Sequence, residues 1–168
     1  MITKQRLEEE YRWVHANTTT MSGGTTMKQK DKIHDIICKV KPFSVLDFGA
    51  GKGLQYSKHE VHKEWGIPKP TLYDPYVKGI DRLPAVGTKY YDLVLCVDVM
   101  EHILPEEVDK ILHQVFFFGN FIYFHIDTKP AIKKFSCGTN FHVSLHPKEW
   151  WIDKIQEFGD NFHADFEE

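Results

Sequence analysis

Val45-Leu46-Asp47-Phe48 is apolar except for one acid, and it runs directly into Gly49-Ala50-Gly51-Lys52-Gly53, with glycine at alternate positions. An apolar run of this length that ends in glycines predicts a buried strand entering a tight turn. Glycine suits such a turn because it accepts positive φ and leaves bare backbone for a ligand to approach. A dinucleotide-binding turn would read G-x-G-x-x-G, with the pyrophosphate on the N-terminus of the next helix. Here the third glycine comes one residue early, at Gly53, and Leu54 stands where that pattern needs glycine. With Asp47 two residues before the first glycine, the pattern suits a cofactor that has no pyrophosphate and carries a cationic centre.

A chain of 168 residues, 42% hydrophobic and 14% aromatic, can bury one substantial core. The expectation is a single domain over 1–168, with 1–27 an N-terminal helix and lid-like segment and 28–168 the core. A formal net charge of -3 supplies no overall cationic field for gripping phosphate backbones. Cys38, Cys96 and Cys137 are widely spaced, odd in number and free of C-x-x-C pairs, which argues against a disulfide framework and a cysteine zinc site. The first ten residues are charged where a secretory leader needs an apolar core, and the longest apolar runs, Leu93 to Val97 and Val115 to Phe118, fall far short of the roughly 20 residues that span a bilayer. A soluble, cytoplasmic protein without a membrane partner is expected. Its oligomeric state is left open.

Periodicity sets the order of elements. Residues 3–16 and 28–39 carry helical spacing, with a linker-like Thr, Ser and Gly stretch over 17–26 between them. Residues 43–48 predict a strand, and 53–65 a helix that Gly66 and Pro68 end. Thr71 to Tyr73 predicts a brief strand before Asp74-Pro75. Tyr91 to Val97 reads as a strand covered on both faces. A helix opens at Pro105, an aromatic and β-branched strand lies within 116–126, and a last helix runs from Pro147 to Phe158. Alternating strands and helices imply an α/β, Rossmann-like, doubly wound and mostly parallel sheet with helices on both faces. Only sixteen residues separate Asp74 from Tyr91, and they include Pro75, Gly79, Pro84 and Gly87, so the third strand should be missing or vestigial.

Two motifs in order carry a family likeness. Asp47-Phe48-Gly49-Ala50-Gly51-Lys52-Gly53, followed by Tyr91 to Val97 and then Asp98-Val99-Met100-Glu101-His102, resembles the class I S-adenosylmethionine-dependent methyltransferases over about residues 28–158. Tyr11 with His15, Tyr73-Asp74-Pro75, and Gly138-Thr139-Asn140-Phe141-His142 leading to Glu149-Trp150-Trp151 are similar to a short methyltransferase group common in phage and bacterial genomes. The resemblance implies S-adenosyl-L-methionine as cofactor and S-adenosyl-L-homocysteine as product. Gly49, Ala50, Gly51 and Gly53 would admit its methionine and ribose portions, with Asp47 near the methionine amine. Asp74 would accept the ribose hydroxyls, as an acid does in dinucleotide folds. Pro75 and Tyr76 would flank the adenine, with backbone at Val97 and Asp98 also in contact. Asp81 is placed either at the adenine amino group or in a solvated loop.

Methyl transfer from a sulfonium is an in-line displacement, so positioning and water exclusion supply much of the acceleration, and an oxygen or nitrogen acceptor can also need a base. His125 and Asp127 at the end of the fifth strand position, within 116–126 and just after it, and His142 on the following loop are the candidates, with His142 preferred because site residues concentrate on loops. Asp98, Glu101, His102 and His142 are expected to be structural or to gate substrate. The alternative, drawn from small-RNA and ubiquinone-type O-methyltransferases that place E-x-x-E-H here, is a divalent metal set. Tyr11, Trp13 and His15 either close over the cofactor, with Gly23-Gly24 as a hinge, or pack on the sheet. Trp150 and Trp151 read as core. The chain lacks the D-P-P-Y motif after its fourth strand position and any Pro-Cys pair, so amino- and cytosine-C5-methylating DNA enzymes are disfavoured. A small-molecule acceptor methylated on O or N is expected. A non-catalytic cofactor-binding module, a metal-assisted RNA or nucleotide O-methyltransferase and a nicotinamide-dependent oxidoreductase are the alternatives.

Overall fold

In a computed structural model, which describes residues 2–85 and 90–168, five strands form one all-parallel sheet. They are β1 (Val45–Phe48), β2 (Thr71–Tyr73), β3 (Tyr91–Val97), β4 (Gly119–Asp127) and β5 (Phe162–Glu167), in the order β2-β1-β3-β4-β5. The helices are α1 (Lys4–Asn17), α2 (Gly24–Lys28), α3 (Lys30–Val40), α4 (Leu54–Ser57), α5 (Val61–Glu64), α6 (Val108–Phe118) and α7 (Lys148–Gln156). Two single turns of 3-10 helix, Met100–His102 and Pro105–Glu107, follow β3. The α/β Rossmann-like class is therefore the observed one. Among the described residues no strand lies between β2 and β3, in keeping with the short spacing there. The sheet is wholly rather than mostly parallel, because the last strand pairs parallel to β4.

Strand alternation explains the two cores. Leu93, Leu95 and Val97 of β3 face α3, α4 and α5, packing with Ile33, Ile37, Tyr56 and Trp65. Val94 and Cys96 face the other way, onto Leu112, Val115, Trp151 and Ile155 of α6 and α7. A third cluster joins Leu7, Tyr11 and Val14 of α1 to Leu104, Phe135 and Phe141. Thus α1 covers the carboxyl end of the sheet rather than one of its faces.

Three boundaries differ from expectation. Residues 116–118 finish α6, because Val108, Leu112, Val115 and Phe118 are buried at helical spacing, and the strand begins only at Gly119, whose backbone passes close to Val94. The helical pattern of 53–65 is two short helices, since Glu60 takes a left-handed φ of 51° between them. β5 was not foreseen. Its Phe162, Ala164 and Phe166 pack on the first core, while its partly polar composition hid the alternation.

Leu95 is fully buried in the central region of the sheet. Leu95→Ala should cost about 2–5 kcal/mol by lost transfer and an unfilled cavity, read as a lower denaturant midpoint at unchanged slope.

Candidate functional site

From β1 the chain crosses to β2 on one side, and its next strand, β3, lies on the other side of β1. Connections that diverge in this way leave a crevice at the carboxyl ends of the two strands, the usual ligand position in an open parallel sheet. A cavity of about 380 Å³ lies there. Its wall includes the glycine turn, Asp74-Pro75-Tyr76, Val97-Asp98-Val99 and His102, and Tyr11 and His15 of α1 close it from above. This volume falls in the range of small-molecule sites.

Every backbone N–H of the glycine turn is already engaged. Gly49 and Ala50 donate to the Tyr73 carbonyl at 2.8 and 3.0 Å, and Gly51 donates to Asp74 Oδ2 at 3.0 Å. Lys52 donates to the Met21 carbonyl at 3.0 Å, and Gly53 to the Ala50 carbonyl at 3.1 Å. A pyrophosphate cradle works by presenting such donors to the ligand. This turn has none left over, and α4 behind it is a single turn long. Gly49, Gly51 and Gly53 all have positive φ. A methyl group at Gly49 would overlap Val99, and one at Gly51 would overlap the Met21 carbonyl, so glycine is needed here for protein packing as well as for ligand access.

The stretch 17–26, expected to be a linker, is a wall of the cavity. Thr19 to Thr26 line it, and Met21 adopts a left-handed φ of 57° where its carbonyl meets the turn. Lys52 Nζ also donates to the Thr18 carbonyl. The usable signal was the absence of any charge over ten residues in a chain that is 27% charged. Lys28 and Lys133 supply cations at the rim.

Asp74 sits where the sequence placed it. Its Oδ1 accepts from the Tyr76 N–H at 2.9 Å and its Oδ2 from Gly51, with His15 Nε2 3.8 Å from Oδ1. Each carboxylate oxygen keeps a lone pair for a hydroxyl. Burial pushes the Asp74 carboxyl up and the His15 imidazole down. Tyr76 stacks on Tyr11 with ring centroids 5.2 Å apart. Trp13 is exposed and Asp81 is an exposed loop acid accepting from Gly79, so neither lines the cavity.

Asp47 lies elsewhere. Alternation along β1 turns it to the face covered by α4, where Tyr56 Oη donates to it at 2.7 Å and Gln55 Nε2 at 3.1 Å. Gln55 also donates to the Ala50 carbonyl, so Asp47 braces the turn from behind rather than touching the cavity. Gly53 is likewise outside the cavity, capping α4. Burial drives the Asp47 carboxyl up to about 6, against the two hydrogen bonds.

After β3, Asp98 takes a left-handed φ of 62° while its N–H still donates to the His125 carbonyl at 2.9 Å. Aspartate is among the few residues that tolerate this conformation, and such strain collects at working sites. The bend aims Asp98 at the cavity. Burial raises its carboxyl, but the His102 imidazole and the Thr25 hydroxyl, at 2.9 Å, overcome that and hold it well below the carboxylate range. Glu101 is fully buried. Its Oε1 accepts from the Asp127 N–H at 2.9 Å, and burial together with the Asp98 charge pushes it up to about 8. The Glu101 carbonyl accepts from Val143 and Ser144 at 2.8 and 3.1 Å, which carries His142 to the cluster.

Of the three candidate bases, none lines the cavity. His142 is buried against His102, with ring centroids 4.9 Å apart. His125 is on the α3 side of the sheet, where burial lowers its imidazole, and Asp127 accepts from the Lys129 N–H at 2.8 Å. Compared with protein-family models, curated proteins and solved structures, the chain matches none of them.

Because the Asp47 carboxyl is pushed up from 3.8 to about 6 in the fold, the folded state binds the extra proton between those values, and stability falls as pH rises through that window. Asp47→Asn keeps an oxygen for Tyr56 and Gln55 and removes that loss, roughly 3 kcal/mol at full effect. Denaturant midpoints from pH 4 to 7 should show a flatter profile in the variant than in the wild type, and parallel profiles would refute the assignment.

Proposed function

We propose that this protein is an S-adenosylmethionine-dependent methyltransferase acting on an O or N atom of a small acceptor. What carries the reading is the glycine turn at the switch point of a parallel sheet with all five of its N–H donors engaged. A cavity in that position recognises a nucleoside, and its spent donors disfavour a phosphate.

The donor set fits the cofactor part by part. Asp74 would hold the ribose hydroxyls through the lone pairs left on its oxygens, and Pro75 and Tyr76 would face the adenine. Lys28 offers an ammonium to the methionine carboxylate. Asp98 keeps a fixed negative charge in the wall, so the part of the pocket beside it prefers a cation to an anion. When bound, the cofactor supplies an electrophilic methyl on a sulfonium and leaves as S-adenosylhomocysteine. The chain's own contribution is to align the two partners and exclude water, which α1 and residues 19–26 do by roofing the crevice.

Calorimetric titration should show saturable heat with S-adenosylmethionine and S-adenosylhomocysteine and none with NAD. Asp74→Asn should weaken both affinities by about tenfold or more, since it removes a charged acceptor, and should also lower the thermal midpoint, since the amide NH2 would face one of the two N–H groups that the carboxylate accepts. Binding of NAD in preference, or unchanged affinity in the variant, would sink the reading.

A further inference from the structure

We infer that His15 of α1 reads one ribose hydroxyl jointly with Asp74, so that the cavity selects a nucleoside whose ribose is intact. That the hydroxyl belongs to a cofactor's ribose rests on the methyltransferase reading. Both residues line the cavity, and their side chains are only 5% and 8% exposed. His15 Nε2 stops 3.8 Å from Asp74 Oδ1, beyond hydrogen-bond reach. The other ring nitrogen, Nδ1, is buried and has no hydrogen-bond partner among the described residues.

A buried polar atom without a partner costs free energy, so an imidazole left in this state is either a packing ring or a group kept for a ligand. Its placement separates the two. Tyr11 and His15 are one turn apart on α1 and both lie against Tyr76, with ring centroids 5.2 and 6.3 Å from it. An apolar ring would serve that contact as well as an imidazole does. It would not put a hydrogen-bonding atom beside a carboxylate whose oxygens are already fixed, by the Tyr76 N–H at 2.9 Å and the Gly51 N–H at 3.0 Å.

Burial pushes the His15 imidazole down, which keeps it neutral at pH 7 with one N–H and one lone pair. The nearby carboxylate attracts the hydrogen and repels the lone pair, so the hydrogen sits on Nε2. A donor and an acceptor separated in this way are joined by a group that takes and gives a hydrogen bond through the same atom, and a hydroxyl is the smallest such group. A ligand oxygen about 2.8 Å from each accepts from His15 Nε2 and donates to Asp74 Oδ1. A phosphate ester at that oxygen has no hydrogen to give and brings like charge to Asp74. Nucleosides phosphorylated or deoxygenated at this position are therefore rejected.

Calorimetric titration of the full-length protein with S-adenosylhomocysteine and with its 2′-deoxy and 3′-deoxy counterparts tests this role in the wild type, His15→Phe and His15→Gln. His15→Phe keeps an apolar ring against Tyr76. It should bind S-adenosylhomocysteine about tenfold or more weakly, yet lose little affinity for the counterpart that lacks the bridging hydroxyl. His15→Gln, whose amide can offer an N–H in place of Nε2, should restore part of the loss. Equal wild-type affinity for the three ligands, equal losses for all three in His15→Phe, or no difference between the two variants overturns the role of His15 and leaves the methyltransferase reading standing. A wild type that binds none of the three overturns that reading, and the role of His15 with it.

Discussion

Two strand ends are laced together by three hydrogen bonds, and the geometry of the cavity follows from them. The Tyr73 carbonyl takes the N–H groups of Gly49 and Ala50, and the Asp74 carboxylate takes that of Gly51. A turn of positive-φ glycines would otherwise be the loosest part of the chain, since glycine loses the most freedom on folding. Anchored at the end of β2 and braced from behind by Asp47 through Gln55 and Tyr56, it becomes a rigid floor. The same lacing consumes the turn's N–H donors, so one arrangement fixes the shape of the pocket and leaves the turn no donor for a phosphate.

Much of this was legible in the chain. The apolar run into glycines located β1 and its turn, the uninterrupted β-branched run located β3, and the crowding of Pro and Gly after Asp74 foretold the lost strand. Signals that depend on a partner were not. Asp47 and Asp74 are both acids beside the turn, but strand parity sends one under α4 and the other to the cavity, and register is a property of the assembled sheet. Phe116 to Phe118 has the composition of a strand and is helix because α6 needs its last apolar turn against the sheet. β5 was hidden by its His, Asp and Glu positions, which face away from the core that Phe162, Ala164 and Phe166 join.

The residues after β3 show how a polar cluster survives burial. Strain at Asp98 turns the chain, the Glu101 carbonyl collects the 143–144 segment, and two backbone carbonyls set the histidine rings. Each of these contacts is backbone to side chain or backbone to backbone, so no alternation or helical spacing announces it. His142 was singled out from its loop as a base that would meet the acceptor directly. Its position beside His102 instead makes it a partner of the acids in front of it.

The roof over the crevice carries a consequence for how the protein assembles. Tyr11 bonds to the Phe141 carbonyl across 130 residues, and Glu10 to Ser136 across 126. α1 is therefore synthesised long before the segment around Ser136 and Phe141 to which it bonds. Contacts so distant in sequence form late and slowly, because a long loop must close before they return any free energy. Until that segment is made, Leu7, Tyr11 and Val14 lack Phe135 and Phe141 to pack on, and the crevice has its full ceiling only after they arrive.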